Sequence, residues 1–132
     1  NNKVNNAVKF REWWRPFAPS LLAESASEYL ESATDSPFMI LTSQVKPAKR
    51  NVIPAVTHVD GSARPQTVEK DVNPLYWRLI NEFGRITGVP VVLNTSFNLR
   101  GEPIVNTPTD AVRTFFSSGM DALVIGSCLV EK

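Results

Sequence analysis

Pro90-Val91-Val92-Leu93-Asn94-Thr95-Ser96-Phe97-Asn98 passes from an uninterrupted apolar strand directly into a polar loop. That change of character decides the fold class, because open α/β sheets hold their ligands in loops at the carboxyl ends of buried strands. Upstream, Asn73-Pro74 has N-cap and first-turn chemistry, and Leu75, Leu79, Phe83 and Ile86 follow as an apolar stripe at helical spacing that stops at Gly88. Downstream, Thr107-Pro108-Thr109-Asp110 caps another helix, in which Ala111, Val112, Phe115 and Phe116 are expected to face a core before Gly119 ends it. Ala122-Leu123-Val124-Ile125-Gly126 then opens a last buried strand. The single cysteine, Cys128, lies in the same apolar run and reads as a small buried residue.

The first half is more broken. Residues 4–17 mix apolar and cationic side chains with stretches of period two, and Pro16 and Pro19 interrupt any helix. An extended segment ending near Leu22 is expected, with Lys9, Arg11 and Arg15 sharing a side where the alternation holds. Residues 23–32 carry good helix formers with Ala26, Tyr29 and Leu30 at helical spacing, and predict a short helix. Residues 38–45 are rich in strand formers and lead into a basic loop with Lys46, Pro47, Lys49 and Arg50. Residues 53–59 predict a second strand. Asp60-Gly61 is a turn signal that closes a hairpin if residues 63–68 return in register. Antiparallel pairing in the middle and helix–strand alternation afterwards together predict an α/β fold, a mixed, twisted open sheet with flanking helices, as one domain over residues 1–132.

Composition narrows the functional classes. Lys and Arg number 14 against 13 Asp and Glu, so a net charge of +1 supplies no broad field for duplex nucleic acid or an anionic membrane. Any anion must be held by a local cluster. No apolar run reaches the ~20 residues that span a bilayer, and Asn1 to Asn6 form no signal-peptide core. The chain reads as a cytoplasmic piece of a longer protein, with no nucleic-acid or membrane partner. One histidine and one cysteine offer no zinc-ligand spacing, so no metal site is expected in this segment.

Candidate chemistry lies where cations and polar loops meet. In Lys9-Phe10-Arg11, residues two apart on a strand share a face, so an ammonium and a guanidinium converge on one anion. Taken alone, the triplet reads as readily as a solvated face paired with Glu12 or Glu24. Ser96 and Asn98 offer a hydroxyl and an amide after the apolar strand, although such side chains often just satisfy their own loop. Arg100 follows at once, and Arg64 adds a guanidinium beyond the Asp60-Gly61 turn. Together these groups make a polyphosphate cradle built from side chains, since no G-x-x-x-x-G-K-[ST] loop occurs. Nucleophilic catalysis fares worse: there is no G-x-S-x-G elbow, and His58 reads as a hydrogen-bonded strand residue. Trp13, Trp14 and Trp77 suit packing more readily than base stacking.

Three longer stretches carry a family resemblance: Asn5-Asn6-Ala7-Val8-Lys9-Phe10-Arg11-Glu12 with Arg15-Pro16-Phe17-Ala18-Pro19-Ser20; Pro54-Ala55-Val56-Thr57-His58-Val59-Asp60-Gly61-Ser62-Ala63-Arg64-Pro65-Gln66-Thr67-Val68; and Val92-Leu93-Asn94-Thr95-Ser96-Phe97-Asn98-Leu99-Arg100-Gly101-Glu102-Pro103-Ile104-Val105. In content and order they resemble the carboxyl-terminal region of O-carbamoyltransferases of the nodulation, cephamycin and aminoglycoside type. The resemblance implies a YrdC-like domain whose K-x-R and S-x-N pairs fall on Lys9 with Arg11 and on Ser96 with Asn98. It implies that ATP, with Mg2+, and carbamoyl phosphate bind here and give carbamoyl adenylate. An amino-terminal actin-like ATPase-fold domain, the expected home of the metal ion, would complete the transfer to a hydroxyl.

On that reading Arg11 and Arg64 are the catalytic cations, and Lys9, Ser96, Asn98 and Arg100 bind ATP or carbamoyl phosphate. Lys46, Lys49 and Arg50 are rim candidates without an assigned role. Two other readings stay open: a non-catalytic nucleotide-binding or interdomain docking module, and a stand-alone threonylcarbamoyl-adenylate synthase. The stretches from Arg15 to Ser20 and from Thr57 to Val68 look less like the latter.

Overall fold

A computed structural model describes residues 3–10, 12 and 14–132. The chain clusters into two compact units, Pro16–Thr95 and the pair of segments Asn1–Arg15 and Ser96–Lys132.

In the first unit, strand β1 (Ala18–Leu22) is buried along its whole length and leads into a 3-10 turn (Ala23–Ser25) and helix α1 (Ala26–Tyr29). The short helix expected over residues 23–32 is therefore present. Strand β2 (Ser43–Gln44), helix α2 (Pro47–Arg50), a 3-10 turn (Pro54–Val56), β3 (Ser62–Ala63), β4 (Gln66–Val68), helix α3 (Pro74–Thr87) and β5 (Val91–Asn94) follow. The central sheet has the order β4-β1-β5, with β1 parallel to β4 and antiparallel to β5. Mixed pairing in an open sheet with packed helices is the α/β class expected.

Leu22, Val68 and Ile80 form the core between α3 and the sheet, with Tyr76, Trp77 and Val92 packed against it. α3 starts where Asn73 accepts from the Tyr76 amide, and ends at Gly88 in the left-handed region at φ 77°. The buried face is not the expected stripe. Leu75, Leu79, Phe83 and Ile86 are exposed, whereas Ile80 is fully buried. Gly84 explains the choice: a Cβ there would stand 2.7 Å from Pro90 Cβ, so the glycine side of the helix is the one that approaches the chain closely.

Several extended segments expected in the first half are replaced by turns. Of residues 38–45 only Ser43 and Gln44 form a strand; Met39 has φ 55°, which no strand accommodates, and Phe38 and Ile40 are exposed. The root of that loop is held instead by Gln66 Nε2 donating to Pro37 O (3.1 Å) and the Ser36 hydroxyl donating to Pro65 O (3.0 Å). Residues 53–59 are not a strand either. Pro54 starts a 3-10 turn that buries Ile53 and Val56 and leaves Val59 outside. The basic stretch is a helical turn rather than a loop, with Pro47 in its first turn. The Asp60-Gly61 turn forms, closed by the Gly61 amide on His58 O (2.9 Å), but β3 pairs antiparallel with β2 and no strand precedes the turn to make a hairpin.

The second unit contains a π-helical turn (Val4–Lys9), helix α4 (Pro108–Phe116), and the antiparallel pair β6 (Ala122–Ile125) and β7 (Cys128–Glu131). Ala111, Phe115 and Leu123 form its core, with Phe97, Val105 and Val130 against it. Thr107 and Asp110 make the capping box expected of that stretch. Val112 and Phe116, by contrast, point outward, as does Val124, so the last strand is buried on one face only. Cys128 is exposed on β7, not buried. Among the described residues no helix is long and apolar enough to cross a membrane.

Candidate anion-binding site

The stretch expected to be extended is helical at its start. Val4, Ala7 and Val8 share helical spacing, the Phe10 amide donates to Asn5 O to close a wide π-type turn, and Gly119 donates to Ala7 O at 2.7 Å. Phe10 then takes the left-handed conformation, φ 48° and ψ 47°, which turns the chain sharply after Lys9. Lys9 and Phe10 are therefore not extended. Arg11 and Trp13 lie outside the described residues.

Lys9 is nonetheless brought to the predicted loop. Its side chain is buried, and Nζ donates to Asn98 Oδ1 (2.6 Å), Ser96 O (2.7 Å) and Asn98 O (2.9 Å) and lies 3.2 Å from Ser96 Oγ. These partners lie 87 and 89 residues away in sequence. The ammonium thus spans the loop like a rivet. The loop closes on itself as well: the Ser96 hydroxyl donates to Asn98 Oδ1 (2.6 Å), Asn98 Nδ2 donates to Glu102 O (2.8 Å), and the Glu102 amide donates to Leu99 O (3.2 Å). Gly101 sits in that turn at φ 80°, a conformation that favours glycine.

Beside this loop is a cleft of about 230 Å³ lined by Lys9, Arg15, Ser96, Asn98, Leu99, Arg100 and Gly101. Three of the described lining residues are cations and none of them is acidic. Arg15, expected to share a side with Lys9, lines the cleft with it. Glu12, a possible partner of the triplet, pairs with Arg15 at 3.1 Å and stands 3.9 Å from Arg100. The i,i+3 spacing of Glu12 and Arg15 is the signal that points to the first of these pairs. Arg100 Nη1 also lies 3.5 Å from Phe10 O.

Arg64 belongs to the other unit, directly after β3, where its exposed guanidinium donates to Met39 O at 3.2 Å. The three rim candidates of that unit have structural partners. Lys46 donates to Ser27 O (2.6 Å), Lys49 pairs with Glu28 over the Tyr29 ring, and Arg50 Nε donates to Val45 O (3.0 Å). The hydrogen bond from Lys49 to Glu28 raises the ammonium above its ordinary value. His58 is hydrogen-bonded, as expected, but in a turn: Nδ1 lies 3.1 Å from Ser62 Oγ, and that hydroxyl donates to Asp60 Oδ1 at 2.7 Å. The Ser62 hydroxyl, with the Ser62 amide, holds the Asp60 carboxyl below the usual carboxylate range.

A second cleft, of about 290 Å³, is walled by Val52, Ile53, Pro54, Phe83, Val89, Val91 and neighbours and presents no titratable side chain. Among the described residues no three His, Cys, Asp or Glu side chains gather closely enough to hold a metal ion. A cationic cleft with a hydroxyl and amides at its wall suits phosphate oxygens, which accept from guanidinium forks and bind strongly through charge-assisted hydrogen bonds.

The sequence matches the family described as "Carbamoyltransferase C-terminus" over residues 1–132. It is 51% identical over 134 residues to "Nodulation protein NolNO" of Sinorhizobium fredii, a match covering 99% of this chain and 20% of the relative. It is 49% identical over 134 residues to "Nodulation protein NolO" of Bradyrhizobium diazoefficiens, covering 99% of this chain and 24% of that one. The "3'-hydroxymethylcephem-O-carbamoyltransferase" of Amycolatopsis lactamdurans is 38% identical over 127 residues, 96% of this chain and 24% of its own. The chain thus spans about a fifth to a quarter of the length of these relatives. With the family matched from end to end and its order of motifs present, this chain belongs to the carbamoyltransferase C-terminus family.

Proposed function

We propose that this chain is the carbamoyl-adenylate-forming part of an ATP-dependent O-carbamoyltransferase, and that the cleft beside Lys9 holds phosphate oxygens of its substrates. The observation that carries this reading is the convergence of Lys9 with Ser96 and Asn98, far apart in sequence, on a cleft that Arg15 and Arg100 also line. In the proposed reaction carbamoyl phosphate and water give carbamate and phosphate. A carbamate oxygen attacks the α-phosphorus of ATP, a new O–P bond forms, and pyrophosphate leaves with the electrons of the broken bond. An acceptor hydroxyl later attacks the carbamoyl carbon and AMP departs.

Carbamate is a weak nucleophile that decomposes in water, so the site must shield it and hold it close to phosphorus. Cations placed before the ligand arrives stabilise the charge that gathers on the phosphoryl oxygens without reorganising. Lys9 keeps the Ser96–Asn98 loop in shape, and Ser96, Asn98 and Arg100 are assigned to phosphate or ribose oxygens. Arg11 and Arg64 are assigned to phosphate and transition-state charge from the family resemblance. Mg2+ would enter on the nucleotide. The metal site and the acceptor site are assigned to an amino-terminal domain of actin-like ATPase fold in the whole protein, which would work in the cytoplasm, where ATP and carbamoyl phosphate are made. We assign the acceptor to the oligosaccharide class, because nodulation relatives match at 51% and 49% identity against 38% for the cephem enzyme.

The full-length protein should release pyrophosphate when given ATP and carbamoyl phosphate together. Asn98→Leu, which removes the amide that bridges Lys9 to the Glu102 carbonyl, should lower that rate by about 100-fold or more, the size of losing a preorganised charge-stabilising contact. Release at the wild-type rate by Asn98→Leu would refute the role given to this cleft. A docking reading draws on a different observation, the exposed Leu75, Leu79 and Ile86 on α3. It requires that full-length protein bind neither substrate at this cleft.

A further inference from the structure

Glu12 occupies an unusual position for an acid beside an anion site. Its Oε2 is 3.1 Å from Arg15 Nε and its Oε1 is 3.9 Å from Arg100 Nη2, so each carboxylate oxygen faces a guanidinium that lines the cleft. A carboxylate shared in this way imitates two oxygens of a phosphate group. The guanidiniums themselves are not fixed by burial; the side chains of Arg15 and Arg100 are 51% and 69% exposed. Both line the cleft beside Lys9, and Glu12 is not among its described lining residues.

We propose that Glu12 is a built-in counter-anion that sets the least charge a ligand of this cleft must carry, making the cleft selective for phosphate groups over monoanions. The inference rests on the anion-binding role proposed above. A monoanion such as acetate, bicarbonate or chloride must draw the guanidiniums from a carboxylate of equal charge. That carboxylate is tethered, and it pays no translational cost to stay. The exchange gains little. A phosphate group carries close to two negative charges at neutral pH and three acceptor oxygens, and a diphosphate carries more, so each competes successfully for the same forks. The looser of the two contacts, to Arg100, is the one expected to open first, with Arg15 following as the ligand seats.

The test is calorimetric titration of the full-length protein with inorganic pyrophosphate, with and without acetate, in wild type and Glu12→Gln. The heat belonging to this cleft is the part that Arg100→Ala removes. Glutamine keeps the shape and loses the charge, so pyrophosphate affinity should rise about fivefold, the effect of one nearby unit charge in a solvated site. Acetate should compete with pyrophosphate in Glu12→Gln and fail to do so, at the same concentration, in wild type. Glu12→Asp, which withdraws the carboxylate by one methylene, should shift both readings in the same direction by a smaller amount and serves if the glutamine variant does not fold. Pyrophosphate affinity unchanged or weakened in the variants, or acetate competing equally in all of them, overturns the role of Glu12 and leaves the cleft an anion site. Absence of any pyrophosphate binding that Arg100→Ala removes overturns the anion site itself, and this inference with it.

Discussion

Lys9 shows how residue types can be legible when their geometry is not. Before any coordinates, Lys9 stands out as half of a K-x-R pair aimed at an anion, and Ser96 and Asn98 as donors in the loop after an apolar strand; the structure joins them through a buried ammonium, which needs acceptors that the loop supplies. The route by which they meet is not legible in the sequence, because period-two stretches in residues 4–17 hide the helical spacing of Val4, Ala7 and Val8. The π-type turn is held by a distant partner, the Gly119 amide on Ala7 O, and no local signal encodes that contact. Asp110 gives a residue-scale prediction with a sign. Its carboxyl lies below the ordinary 3.8 chiefly through the Thr107 hydroxyl. The folded state therefore takes up the proton at lower pH than the unfolded chain. The part of the capping box that depends on the carboxylate is fully present above pH 3.8 and is lost as pH falls through the depressed value. Thr107→Ala should lower stability by about 1 kcal/mol at neutral pH, with a smaller difference from wild type in acid, read by denaturant titration across that range. An equal difference at every pH would contradict it.

At the scale of elements, helix α3 separates what periodicity settles from what it leaves open. Caps at Asn73 and Gly88 fix where the helix runs, since they satisfy backbone groups locally. Periodicity does not choose between two apolar faces. Leu75, Leu79 and Ile86 make the more regular stripe, but the face with Tyr76, Ile80 and Gly84 is the one that packs, because only a side chain as small as hydrogen admits Pro90. Ile80→Ala should therefore cost about 2–5 kcal/mol, whereas Leu79→Ala should change stability by less than about 0.5 kcal/mol. Thermal denaturation of both variants decides between the two faces, and a larger loss for Leu79→Ala would reverse the assignment. Short elements were the least legible. Pro54 and the left-handed Met39 break two segments whose composition is that of strands, and the partner of β3 is β2 rather than the segment before the turn. Strand formers report a preference for half-buried extended chain, not which neighbour is present to pair with it.

At the scale of the whole molecule, composition had already removed broad electrostatic binding and left local clusters as the place for chemistry. The family was legible because its motifs are long and ordered, and the match over residues 1–132 bears that out. The relatives are four to five times as long as this chain, so carbamoyl transfer stays a proposal about the whole protein. The central claim is that the cleft riveted by Lys9 binds phosphate oxygens. It is tested most directly by calorimetric titration of ATP into the full-length protein and into Lys9→Met, a substitution of similar length that removes the charge and frees the Ser96–Asn98 loop. The account predicts that Lys9→Met weakens the heat attributable to this cleft at least tenfold, a loss of about 1.4 kcal/mol or more. ATP bound there with unchanged affinity by folded Lys9→Met would contradict it.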